Sequence, residues 1–345
     1  MSEPLELQEA ANPTRPGEIL LALAREIAEA ILFPASLDID AAPAVARSTL
    51  DAFASAGLYG LFAARDVGGL DLDRQSGEQV IEILAGGCLT TTFVWIQHLS
   101  TAALVSRLDG PVHDEWARDL ATGMRRSGIA FSHLRRPDPP SLTAAPVLGG
   151  YVLDGATPLV TGWGLIDVVH VAARLGEDIV WLLVDATESP TISVTPVELA
   201  AVNASATVSV RFSGHSVPES RLTQIQPLAD WLARDAAGLR TNGFLSLGVA
   251  ARCLTLLGPS DLDSELASVR AGLVSASEEQ LPAARARASL FALRGSAALI
   301  AGRGGRSMRR DDHAQRLGRE AMFLLVQGQT PAIRAAELDQ ISARS

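Results

Sequence analysis

Lysine is absent from this chain of 345 residues, so all 29 of its basic residues are arginine. The 39 acidic residues outnumber them and give a formal net charge of −10. Phosphate groups repel a chain with this excess of negative charge, which excludes a general role in binding nucleic acids or anionic membranes. We therefore expect neither a nucleic-acid partner nor a membrane partner.

Cysteine is almost as scarce. The two cysteines, Cys88 and Cys253, lie far apart in apolar stretches. This excludes a zinc ribbon or a dense disulfide framework and predicts two buried free thiols. The six histidines form no pair at helical spacing and no His-Glu-x-x-His pattern, so we predict no metal site. His98 lies in an apolar helical stretch and is expected to be a core or interface histidine.

Long hydrophobic runs are missing as well. No stretch approaches the ~18 apolar residues that a membrane-spanning helix requires. The first residues, MSEPLELQEAANPTRP, carry acidic side chains and no apolar run, unlike a signal peptide. Hydrophobic residues make up 48% and charged residues 20%, values typical of a globular chain. We expect a soluble, cytoplasmic protein.

What the sequence does contain is a change of pattern along the chain. Helical spacing of apolar residues predicts helices up to residue 124, and it returns from residue 223 to residue 345. Between them, at 125–222, glycine, proline and β-branched residues predict short strands. The sequence thus predicts three domains: an N-terminal helical domain, a middle antiparallel β domain and a C-terminal helical bundle.

Six strands are predicted from β-branched runs in the middle segment, and Gly149-Gly150 is predicted to form a hairpin turn. The predicted strands are Ile129–Ser132, Tyr151–Leu153, Val168–Ala172, Ile179–Val184, Ile192–Val194 and Thr207–Phe212.

Five local motifs occur in an order that resembles the acyl-CoA dehydrogenase family. The first is the loop AGLYGL, followed by Gly68-Gly69, and the second is GIAFSHLRRP at the start of the β segment. DGATPLVTGWGLIDVVHVAA is similar to the family segment that carries Trp and Thr beside its flavin. Phe212 and the VPESRL stretch resemble the exit from the family's β domain. GGRSMRRDDHAQRLGREAMFLLVQGQT resembles the family's C-terminal motif.

This resemblance implies an FAD held between the β domain and the C-terminal helices. By position in the second motif, Phe131, Ser132, His133 and Leu134 would lie along the flavin ring. Thr161 would lie beside the N5–O4 edge of the ring, where a donor stabilises negative charge on the reduced flavin. The alternative for Thr161 is a turn residue at the end of a strand.

Two glycines of the C-terminal motif are implied to approach the FAD diphosphate of a neighbouring subunit. They are Gly304 and Gly305, where glycine permits close backbone approach. Arg306 and the other arginines nearby could bind phosphate. The alternative is a loop at a helix break with solvated arginines. We expect a homodimer or a larger oligomer.

The sequence departs from the family pattern at three places. The family's catalytic Glu, which removes a proton from the acyl thioester, is replaced by Gln327, and an amide does not accept a proton at neutral pH. The flavin-contacting Thr is replaced by Leu134, and the family's Trp falls at Leu159. Gly258-Pro259 ends a helix early, and the "R-x-x-F-G" turn that grips FAD in the family is missing.

Two hypotheses for function follow from this pattern. In the first, the protein is an FAD-dependent oxidoreductase that acts on an acyl thioester, such as acyl-CoA, or on a related small substrate. Flavin monooxygenases of the same fold do not need the missing Glu. In the second, the protein is a catalytically degenerate member that acts as a non-enzymatic binding or partner subunit.

Overall fold

The computed structural model describes residues 16–136 and 139–343, and six helices precede the sheet. These helices are α1 (Pro16–Ile27), α2 (Phe33–Ala41), α3 (Arg47–Ser55), α4 (Arg74–Gly87), α5 (Leu89–Val105) and α6 (Pro111–Thr122). The Asp73 carboxylate caps α4 by accepting a hydrogen bond from the Ser76 amide at 2.9 Å. As its composition predicts, α5 is buried on most of its surface.

In the residues that the structure describes, eight strands form one sheet after these helices. They are β1 (Ser127–Ala130), β2 (Leu142–Val147), β3 (Gly150–Val160), β4 (Val168–Leu175), β5 (Asp178–Asp185), β6 (Ile192–Pro196), β7 (Val208–Pro218) and β8 (Leu222–Pro227). The main path through the sheet is β6-β7-β3-β2-β4-β5-β8, and β1 pairs with β4. All six predicted strands are present. The predicted turn at Gly149-Gly150 is also present, but the strand that it joins to β3 is β2, which the sequence did not predict.

The pairing of the sheet differs from the purely antiparallel one predicted. Most neighbouring strands are antiparallel, but β1 runs parallel to β4, with Ser127 opposite Val168. A single parallel pair also joins β2 to β4. Parallel neighbours need a long connection between them, and β2 and β3 lie between β1 and β4 in the chain. The sheet is therefore mixed.

The prediction missed two strands, β2 and β8. In β8 the buried position carries a polar residue, Thr223, whereas Ile225 is 45% exposed. In a regular strand these two residues would lie on the same face, so burial along β8 follows neither hydrophobicity nor a simple two-residue alternation. In β2 the signal is interrupted by Pro146, which is uncommon within strands. Because β8 pairs with β5, the sheet continues to Pro227, past the expected domain end at residue 222.

Up to residue 343, where the described part of the chain ends, five helices follow the sheet: α7 (Leu228–Leu257), α8 (Leu262–Ser275), α9 (Leu281–Arg303), α10 (His313–Val326) and α11 (Pro331–Ser342). The first of them, α7, is one continuous helix of 30 residues that ends before Gly258, where the sequence predicted an end. Buried apolar residues of α4 and α5 share a core with those of α7, α9 and α10. The sheet has a separate core of its own.

A buried histidine joins the first helices to the sheet. The Ser127 amide donates to His98 Nδ1 at 2.9 Å, so His98 Nε2 carries the proton and donates to the Leu120 carbonyl at 2.9 Å. Burial lowers the pKa of His98 to about 4, which keeps the ring neutral. The predicted core position of His98 is confirmed.

In the part of the chain that the structure describes, no helix is both long and apolar enough to cross a membrane.

Candidate functional site

A cavity of about 570 Å³ lies where α5, α7 and the sheet meet. One wall is a single face of α7 that presents residues at helical spacing, among them Trp231, Arg234, Gly238 and Asn242. The opposite wall comes from α5, and the sheet closes the cavity through the ends of β1 and β8 and the middle of β5. Its size is within the range of ordinary small-molecule sites.

Three aromatic rings form the part of the cavity nearest the sheet. The ring centroid of Phe131 lies 6.1 Å from that of Trp181 and 5.7 Å from that of Trp231. These residues come from the end of β1, from β5 and from the first turn of α7, so the sheet and the helix jointly set their spacing. Rings at these separations can stack with a planar ligand.

A partly buried ion pair connects the sheet side to α7 beside these rings. The Arg135 guanidinium donates to both carboxylate oxygens of Asp235, at 2.7 and 2.9 Å. The two side chains are 16% and 11% exposed, respectively. Among the described residues that line the cavity, Asp235 is the only carboxylate. Because both of its oxygens already accept from Arg135, it is not free to act as a base.

His170 on β4 also lines the cavity and is held in the neutral form. Thr223 donates its hydroxyl proton to the Trp181 carbonyl, so it accepts a hydrogen bond from His170 Nε2 at 2.8 Å. Burial lowers the pKa of His170 to about 3. The neutral ring therefore joins β4 to β8 through Nε2, and its Nδ1 lies 3.4 Å from the Thr101 hydroxyl of α5.

Gln327 lines the cavity from the end of α10. Its backbone carbonyl accepts a hydrogen bond at 3.3 Å from Arg285, a fully buried arginine on α9 that also donates to the Leu324 carbonyl. The turn continues through Gly328 with φ of +64°, and a Cβ there would lie 2.6 Å from the Asn242 amide nitrogen. Only glycine fits this turn. The side-chain Oε1 of Gln327 is buried and has no hydrogen-bond partner among the described residues.

One further carboxylate lies directly behind the cavity wall. Glu78 on α4 is buried and accepts a hydrogen bond at 3.3 Å from the hydroxyl of Thr241, a residue that lines the cavity. Burial raises the pKa of Glu78 above its usual range. Glu78 itself does not line the cavity, so Thr241 separates it from any ligand there.

The residues predicted for the flavin loop divide into two groups. Phe131 lines the cavity together with Gln327, whereas the next three residues point elsewhere. Ser132 has a buried hydroxyl without a partner among the described residues. His133 bonds to the Thr157 hydroxyl at 3.2 Å and to the Ala172 carbonyl at 2.9 Å. Leu134 is buried in an apolar cluster with Trp181.

Thr161 lies outside the cavity lining. Its hydroxyl is 3.2 Å from that of Thr207, which is 2.8 Å from that of Ser205. All three side chains are buried, so they form a closed chain of hydroxyls at the end of β3. Thr161 directly follows β3, and its place beside a flavin stays a prediction.

Gly304, Gly305 and Arg306 lie in a short 3₁₀ segment between α9 and α10, also away from the cavity lining. Asp312, which caps α10, lies 3.0 Å from Arg303 and 3.6 Å from Arg306. The ion pairs of Asp312 with Arg303 and Arg306 therefore hold the two ends of this loop together. Arg306 remains 75% exposed.

Sequence reasoning missed much of this cavity. The sequence did not predict a site role for Trp181, Trp231 or His170. It also did not predict the ion pair between Arg135 and Asp235. Arg135 and Asp235 are 100 positions apart in sequence, Trp181 and Trp231 are 50 apart, and the packing of α7 against the sheet brings each pair together. The available signal was weak, because a single carboxylate such as Asp235 ahead of an apolar helical stretch is typical of a solvated surface.

The fold described above, with helices on both sides of a mixed sheet and a cavity at their junction, is that of the acyl-CoA dehydrogenases. Residues 16–123 match the family model described as "Acyl-CoA dehydrogenase, N-terminal domain". By sequence these residues belong to that family, and by structure the whole chain has its fold, so the predicted family resemblance and fold class are confirmed.

Several solved structures share the fold over nearly the whole chain. Butyryl-CoA dehydrogenase from Megasphaera elsdenii matches with a TM-score of 0.83 and 15% identity, covering 96% of this chain and 99% of that one. An acyl-CoA dehydrogenase from Geobacillus kaustophilus matches with a TM-score of 0.80 and 15% identity, covering 96% and 100%. A glutaryl-CoA dehydrogenase from Mycobacterium smegmatis, in complex with FADH2, matches with a TM-score of 0.79 and 16% identity, covering 95% of each chain. No curated protein matches the chain.

Proposed function

We propose that the protein is an FAD-dependent oxidoreductase that acts on an acyl thioester or a related small substrate without a carboxylate base at position 327. The observation that carries the proposal is the cavity itself. It has the size of a small-molecule site, three aromatic rings on one side and Gln327 on another. A homologous fold with FADH2 bound supports a flavin as the cofactor.

The cavity residues are compatible with a planar cofactor. Phe131, Trp181 and Trp231 would contact the ring. Trp181 Nε1 and Gln327 Oε1 belong to cavity residues and are buried polar atoms without partners among the described residues. Buried polar atoms of this kind are normally satisfied, so they favour a ligand or water that supplies the missing bonds. When bound, a flavin supplies a two-electron acceptor.

The proton chemistry of the cavity sets a limit on the substrate. Asp235 is neutralised by Arg135, and His170 already donates to Thr223. Gln327 can donate or accept a hydrogen bond but does not remove a proton from carbon. The chain's own residues therefore bind and orient a substrate. They favour a reaction in which the side chain of Gln327 does not have to accept a proton from the substrate Cα.

The second candidate is a catalytically degenerate binding or partner subunit. Two observations favour it: the Thr161 hydroxyl is engaged by Thr207, and Leu134 is packed in an apolar cluster. Both side chains therefore have their contacts within the protein itself. In either case we propose a homodimer or larger assembly, because Gly304 and Gly305 do not line this chain's cavity and a second copy would be needed to bring them to an FAD.

A visible absorbance spectrum separates the two candidates. The protein is incubated with FAD, passed over a gel-filtration column and scanned. The oxidoreductase proposal predicts flavin bands that elute with the protein at about one FAD per chain. A protein that stays colourless after this treatment would support the degenerate subunit and contradict the oxidoreductase.

A further inference from the structure

A glycine without an evident packing role lies at the centre of the α7 face that lines the cavity. Gly238 is in the interior of a helix of 30 residues, where glycine is less favourable than alanine. Such a position is usually explained by a close neighbour that excludes a side chain. At Gly238 a Cβ would have no atom of the described residues within 4 Å, apart from its chain neighbours and the backbone of its own helix.

Other helix glycines of the chain show the contrast. A Cβ at Gly248, also on α7, would lie 2.2 Å from the Glu82 carbonyl oxygen, so close packing of α4 against α7 requires glycine there. A Cβ at Gly243 would lie 2.5 Å from Leu273. Packing accounts for these two glycines, whereas it does not account for Gly238.

The neighbours of Gly238 on the same helix face are polar residues that line the cavity and could bind a ligand. Arg234 lies one turn before it and Asn242 one turn after it, and all three line the cavity. Arg234 donates to Gln226 at 2.7 Å at the exposed end of the cleft. At the other end, Asn242 lies beside the turn that carries Gln327. Because Gly238 has no side chain, the cavity stays open along α7 between Arg234 and Asn242.

We infer that Gly238 sets the width of the substrate cleft: the missing side chain leaves the space through which a bound acyl thioester crosses α7. This inference rests on the proposed function, since it takes the acyl thioester as the ligand. Any side chain at 238 projects into the cleft without disturbing the core. It follows that substitutions there change ligand binding and leave folding intact.

Gly272 on α8 provides a matched control. It is also an exposed glycine inside a helix, and a Cβ there has nothing within 4 Å among the described residues, but it does not line the cavity. We expect Gly238→Ala and Gly272→Ala to raise Tm by similar amounts, because both remove an unfavourable helix glycine. Gly238→Leu should weaken butyryl-CoA binding by roughly tenfold or more, and Gly272→Leu by less than about twofold.

Cysteine variants provide a second readout that needs no catalysis. Cys88 and Cys253 are buried, so in G238C and G272C the new thiol is the one that N-ethylmaleimide reaches. Saturating butyryl-CoA should slow labelling of G238C by about tenfold or more and leave G272C unchanged. The extent of labelling is measured by intact mass.

The outcomes distinguish this inference from the proposed function. If the wild-type protein binds butyryl-CoA but G238L binds equally well and G238C is unprotected, Gly238 does not border the ligand and only this inference fails. If the wild-type protein does not bind butyryl-CoA by calorimetry, the acyl thioester is wrong for both. FAD binding is scored separately by the absorbance spectrum.

Discussion

Gln327→Glu is expected to accelerate acyl-CoA-dependent bleaching of the bound flavin well beyond its rate in the wild-type protein. The substitution places a carboxylate at the end of α10, on the cavity wall, where the turn is fixed by Arg285 and Gly328. The buried Arg285 guanidinium nearby favours the ionised form of that carboxylate. Since a positioned general base contributes about 10²- to 10⁴-fold, we expect bleaching by butyryl-CoA to accelerate by that order.

The matched control is Gln97→Glu, which adds a carboxylate to the same cavity from α5. Gln97 donates to the Phe93 carbonyl of its own helix, so its side chain is held on the opposite wall. Anaerobic stopped-flow absorbance of the FAD-loaded proteins measures the rate. Equal rates in Q97E and Q327E would show that position 327 has no special relation to the substrate.

Glu320→Gln is expected to cost about 3–5 kcal/mol of unfolding free energy, because it leaves a buried arginine without its counter-charge. Arg316 and Glu320 are on adjacent turns of α10, 2.6 Å apart, and their side chains are 1% and 3% exposed. Burial raises the pKa of Glu320. The Arg316 Nε has no partner among the described residues, so little else compensates the charge.

Glu265→Gln tests the same chemistry at the surface. Glu265 pairs with Arg294, and these side chains are 34% and 54% exposed, so its loss should cost about 0–1 kcal/mol. Replacing both buried partners, as in R316M/E320M, should recover most of the stability lost in E320Q. Urea unfolding of the four proteins measures these differences. An E320Q protein as stable as E265Q would mean that the buried pair contributes nothing specific.

Much of the fold could be predicted because the relevant signals are local. The apolar spacing of α5 and the β-branched runs of β4 and β5 report directly on burial and on strand formation. The strand β8 shows where such reasoning fails: Thr223 is buried because it bonds to His170, a partner 53 residues away that no local pattern reveals. The parallel pairing of β1 is likewise a consequence of chain topology.

The candidate site was predicted only where a residue's position in a local motif is sufficient to place it. Gln327 and Phe131 were placed by motif position, and both line the cavity. Thr161 was left with two readings, and its contact with Thr207 depends on the path of the chain between β6 and β7. The Arg135–Asp235 pair joins residues that are 100 positions apart, so it requires the three-dimensional structure.

The central claim is that the cavity between the sheet and α7 holds a flavin ring. Hydrogen–deuterium exchange of the backbone amides, with and without saturating FAD, tests it most directly. We predict slower exchange in 127–131, at the end of β1, and in 228–242 of α7, while α8 stays unchanged. Unaltered exchange in both of those segments, with protection elsewhere or nowhere, would contradict the claim.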